Sequence, residues 1–120
     1  MTPADDVARF RALAVEYGQA GEQGNPKRSN RAFRALIRLR GSMWKKDPDS
    51  CRALLPLLDD EDAGVRTWAA FNALDFSREG ALRALQEVAQ GAGEMAFDAR
   101  YFIKDIEADK FVMEPAWRGE

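Results

Sequence analysis

The residues of this chain with the clearest capacity for chemistry are cations gathered on one short segment. Between Asn25 and Lys46 stand Lys27, Arg28, Arg31, Arg34, Arg38, Arg40, Lys45 and Lys46, with no acid among them. On a helix turning about 100° per residue, Lys27, Arg31, Arg34, Arg38 and Lys45 fall within about 60° of one another. Such a ridge grips anions, either an acidic protein surface or phosphates. The plain alternative is a solvated helix face, but ordinary surface helices intersperse signs at i±4 and this one does not. Phe33, Leu36, Ile37, Met43 and Trp44 lie roughly opposite the ridge and mark the side facing a core. Arg40 projects into the middle of that apolar side, where an unpaired guanidinium is costly, so it is expected to pair with an acid of a neighbouring turn.

The rest of the inventory narrows the chemistry further. Histidine is absent and Cys51 is the only cysteine. Ser-His-Asp and Cys-His catalysis, imidazole or cysteine-rich zinc sites and an intrachain disulfide are thereby removed. No nucleophile–base pair stands out, so no catalytic residue, cofactor or metal is assigned; carboxylate acid–base work by Glu94 or Asp98 has nothing to single it out. The run Asp59-Asp60-Glu61-Asp62 lacks the alternating acids and glycine offset of an EF-hand loop, and reads as helix caps and bridges. The basic segment carries +8 and the remainder −10 (10 basic against 20 acidic residues), for a total of −2. Segregated charge of this kind speeds and selects association with a partner of opposite sign.

The elements that must position these groups follow from periodicity. A chain of 120 residues suits one domain with a modest core. Val7, Phe10, Leu13, Ala14 and Tyr17 recur at helical spacing from about Pro3, and Gly18 and Gly21 are expected to end that helix. Asn25 before Pro26 caps a second helix running to about Trp44. Asp47-Pro48-Asp49 opens a short third, with Cys51, Leu54, Leu55, Leu57 and Leu58. A fourth is expected from about Glu61 to Leu74, a fifth after Ser77, and a sixth from Glu94 to Ala108. Only KFVME, residues 110–114, has any strand character. No apolar run approaches the roughly 18 residues that span a bilayer, and Asp5, Asp6 and Arg9 interrupt any secretory leader. With a single cysteine, these features predict a cytoplasmic protein.

The stretch from Leu54 to Leu74, LLPLLDDEDAGVRTWAAFNAL, resembles a HEAT repeat: a leucine-rich helix, an acidic turn, then Val-Arg with small residues behind it. In the residues themselves, Asp60 and Asp62 stand where carboxylates accept a helix's first amides, and Val65, Ala69 and Ala73 permit close packing. HEAT repeats typically use an Asp and an Arg here, which implies that Arg66 bridges to the turn. The resemblance implies an all-α fold, a short HEAT-like solenoid of about three antiparallel helix pairs. Its expected divisions are 1–46 for the first pair, 47–76 for the central unit, 77–109 for a degenerate third unit and 110–120 for a C-terminal tail. Asn30-Arg31, Phe33-Arg34 and Val65-Arg66-x-Trp68-Ala69-Ala70 are also similar to small bacterial HEAT-like proteins of unknown function. Related small solenoids act as immunity proteins beside secreted toxins.

Three functions compete. The first is a non-catalytic protein-binding module, an immunity-type protein neutralising a toxin, with no membrane association. Its candidate contacts are Lys27, Arg31, Arg34, Arg38 and Lys45, together with Phe97, Tyr101 and Trp117. Phe97 and Tyr101 lie four apart on α-helical spacing with Lys104 beside them; either the tail folds back over these aromatics or an apolar patch remains for a partner. The second is nucleic-acid binding by the basic helix, opposed by the −10 elsewhere. The third, an enzyme or chromophore-lyase accessory, rests on HEAT-like repeats that serve phycobilin attachment.

Overall fold

The computed structural model describes residues 3–120; the first two residues of the expected first pair lie outside that range. The chain forms α1 (Pro3–Glu22), α2 (Pro26–Lys46), a 3-10 segment (Pro48–Asp59), α3 (Ala63–Ala73), α4 (Arg78–Ala89), α5 (Glu94–Glu107) and a closing 3-10 turn (Pro115–Arg118). There is no strand among the described residues, and 110–114 run as irregular chain into the closing turn.

The caps are those the residue types dictate. The Asn25 side chain accepts from the Arg28 amide, Asp62 from the Val65 amide and Ser77 from the Gly80 amide, each satisfying one of the donors a helix start leaves open. Two elements depart from expectation. First, α1 continues past Tyr17 to Glu22, through Gly18 and Gly21. Gly18 lies where α1 meets α3: a Cβ built on it would sit 3.6 Å from Gly64 Cα, and one on Gly64 would sit 2.8 Å from the Ala14 carbonyl oxygen. These glycines therefore serve a close helix crossing rather than a helix end. Second, the leucine-rich element is 3-10 over its whole length, with Pro56 inside it. In an α-helix that proline would remove a hydrogen bond and clash with the carbonyl four residues back.

Consecutive elements pack on one another: α1 on α2, the 3-10 segment on α3, α3 on α4 and α4 on α5. The main core centres on Trp68, which is 1% exposed. Tyr17, Phe33 and Phe71 approach it in edge-on geometry at 5.3–5.6 Å, an arrangement that aromatic quadrupoles favour. Ala70, Ala73, Ala81, Ala84, Leu85 and Val88 form a second cluster with Met95, Ala99 and Ile106 across α3, α4 and α5; small side chains let those helices approach.

The C-terminal tail is docked. Trp117 is buried against Trp68, with ring centroids 5.8 Å apart, and against Phe10 at 6.5 Å. Phe111 covers Phe71 at 5.1 Å and Phe102 at 6.0 Å. Gly41 of α2 makes this possible, because a Cβ there would lie 1.9 Å from the Ala116 carbonyl oxygen. The tail does not cover Phe97 and Tyr101, which stay 54% and 56% exposed.

Candidate functional site

Sequence and packing together divide the cations into two populations. Most of those away from α2 are occupied. Arg11 makes a two-point contact with Asp60 at 2.7 and 3.2 Å, joining α1 to the acidic turn. Arg52 pairs with Asp49, Arg78 with Asp109 and Arg118 with Asp75. Arg66 donates to the Asp60 carbonyl at 2.8 Å, so it bridges to the turn through backbone rather than through the carboxylate. Asp62 serves as the α3 cap, while Asp59 and Glu61 face solvent. Hydrogen bonding from Arg11 holds the Asp60 carboxyl below the usual carboxylate range.

Two α2 cations have structural duties. Arg28 reaches back to Glu16 with bonds of 2.9 and 2.6 Å, and lowers that carboxyl's pKa. Arg40 is fully buried. Its Nε donates to Asn72 Oδ1 at 2.9 Å, Nη1 to the Trp117 carbonyl at 3.0 Å and Nη2 to Asp75 Oδ2 at 2.6 Å. Its guanidinium carbon also lies 4.4 Å from the Trp44 ring centroid and 4.7 Å from that of Trp117, a favourable setting for a cation. Burial lowers the Arg40 pKa and Asp75 opposes that effect; the group stays charged at neutral pH. The expected pairing with a turn acid is what the structure shows, since Asp75 lies between α3 and α4.

The remaining α2 cations face water. Lys27, Arg31, Arg34, Arg38 and Lys45 are all exposed, and none has a carboxylate within 4 Å among the described residues. Arg31 acts through space on Glu16, whose carboxyl is held below its ordinary range mainly by the Arg28 hydrogen bond. Five like charges on one helix face repel each other, and no ion pair within 4 Å among the described residues neutralises them. The ridge lies between α1 on one flank and the docked tail on the other, where Gly119 approaches Lys45.

The structure does not bring the other candidate contacts to this face. Phe97 and Tyr101 stack edge-on at 5.2 Å on α5, with Arg100 and Lys104 beside them. Trp117 is 1% exposed and belongs to the core, correcting its assignment as a partner contact. Its burial follows from the Gly41 gap and from the Arg40 bond to its carbonyl.

Two residues outside the predicted contact set, Arg9 and Lys46, extend the basic face. Arg9 of α1, together with Arg38 and Lys46 of α2, rims a groove of about 230 Å³ floored by Ala35, Leu39 and Met43. Lys46 was visible in the charge run, whereas Arg9 joins it only through the α1–α2 pairing that sequence spacing alone does not register.

Comparison with known proteins follows the fold. A family model described as a domain of unknown function (DUF2019) matches residues 4–107. The crystal structure of the protein RPA1889 from Rhodopseudomonas palustris CGA009 is similar, with a TM-score of 0.84 and 26% identity over 95% of each chain. No curated protein matches the sequence. No described helix is long and apolar enough to cross a membrane.

Proposed function

We propose that this chain, which belongs to the DUF2019 family, is a non-catalytic protein-binding module that docks an acidic protein surface on the exposed face of α2. One observation carries the reading: Lys27, Arg31, Arg34, Arg38 and Lys45 are exposed together without an ion pair among the described residues, while Arg28 and Arg40 on the same helix are tied to carboxylates. Binding an acidic surface relieves the mutual repulsion of the five and displaces their screening ions. The packing of α1 on α2, the 3-10 segment on α3 and α4 on α5 supports a short HEAT-like stack that presents α2 as an outer helix. Resemblance to small helical immunity proteins supplies the partner class, a toxin with an acidic face, and a cytoplasmic setting.

Nucleic-acid binding is the second reading, favoured by the same cations. Against it stands the −10 carried by the rest of the chain, which repels an extended duplex beyond one helix's width. A photo-crosslinking residue at position 34, with position 83 on α4 as control, tests the assignment in native cells. The reading expects a protein crosslink from position 34 alone. Crosslinks to nucleic acid, or equal protein crosslinks from both positions, would overturn it.

A further inference from the structure

The groove beside the ridge has a chemistry that bare charge attraction does not require. Its floor is aliphatic, from Ala35, Leu39 and Met43, and its rim carries Arg9, Arg38 and Lys46 with one acid, Asp6. Arg9, Arg38 and Lys46 have no carboxylate within 4 Å among the described residues. A volume of about 230 Å³ is several times the roughly 30 Å³ share of one water molecule, enough for one branched or thioether side chain. No aromatic ring lines the groove, so it offers no stacking platform for a nucleobase. Phosphates alone would gain from the rim and nothing from the floor.

Resting on the α2 reading above, we infer that the partner presents an acidic segment with a single apolar side chain. That side chain enters the groove between α1 and α2, while flanking carboxylates meet Arg9, Arg38 and Lys46. The ridge attracts and orients the segment. The groove selects it, because an equally acidic segment without the apolar residue leaves the floor unfilled. Arg9 lies on α1, so recognition spans two helices and depends on their register.

Two labelled peptides of equal charge test this, one with a central leucine flanked by three acids on each side and one with serine in its place. Fluorescence anisotropy at low salt is expected to show the wild-type chain binding the leucine peptide about tenfold more tightly, the scale set by burying one such side chain. Ser42, exposed at the groove, provides a filling variant: Ser42→Trp is expected to remove the leucine preference and keep the weaker charge-driven binding. Arg9→Glu is expected to weaken the leucine peptide by a similar factor without touching the ridge. Equal wild-type affinity for the two peptides, or a leucine preference surviving both variants, would overturn the groove and leave the ridge standing. Binding of neither peptide would overturn the ridge reading with it.

Discussion

The Arg40 guanidinium donates to the Asp75 carboxylate at 2.6 Å with Arg40 wholly removed from water, on a helix whose other face carries five exposed cations. Asp75 also receives Arg118 from the tail. One carboxylate thus joins α2, the α3–α4 turn and the C-terminus. Arg40→Ala would leave Asn72, the Trp117 carbonyl and part of Asp75 without their donors. Urea unfolding should show a loss of about 3–5 kcal/mol, as for other buried pairs broken from one side. Arg40→Lys should lose less, because the charge remains but the fork that serves three acceptors does not.

Gly41 carries a related prediction. Its alanine variant would place a methyl group 1.9 Å from the Ala116 carbonyl oxygen, so the closing turn must shift. Gly41→Ala should destabilise by about 1–3 kcal/mol, red-shift tryptophan emission as Trp117 gains water, and hasten cleavage after Arg118.

Acid should weaken the fold through Asp60 and Glu16. Both have folded pKa values held below their ordinary ones by an arginine partner. Their stabilisation is present above the unfolded pKa of about 4 and is lost as pH falls through the lower folded value. Asp60→Asn should therefore lower the urea midpoint at pH 7 and flatten its decline below pH 4. Asp98 has the opposite sign, its carboxyl raised by burial. Asp98→Asn should raise stability at pH 7 and lose that advantage in acid.

The exposed ridge is expected to be dispensable for folding. Replacing Arg31, Arg34 and Arg38 together by Glu should change stability by no more than about 0.5 kcal/mol per site, since none makes a contact the core uses. A cooperative unfolding transition near the wild-type midpoint is the check.

Much of this architecture was legible in residue types. Asn25-Pro26, Asp62 and Ser77 marked helix starts because few side chains can reach back to a helix's first amides, and Arg40 announced a partner because its helical angle put it among Phe33, Ile37 and Trp44. Gly18 misled, since a glycine that permits a crossing has the same local signature as one that ends a helix; only Gly64, 46 residues later, distinguishes them. Trp117 misled for a similar reason. Its pocket is assembled from Phe10, Trp68, Gly41 and Arg40, residues on three helices whose spacing carries no mark of their meeting. The ridge was legible because it lies on one helix, and the groove was not because it needs two.

The central claim is that the exposed face of α2 binds an acidic protein. Affinity capture from native extract, treated with nuclease and run at low and moderate salt, tests it most directly when wild type is compared with the Arg31, Arg34 and Arg38 reversal to Glu. The account predicts one acidic protein retained by wild type, weakened by salt, untouched by nuclease and absent from the reversal. The same protein retained by both versions, or retained material that nuclease removes, would contradict it.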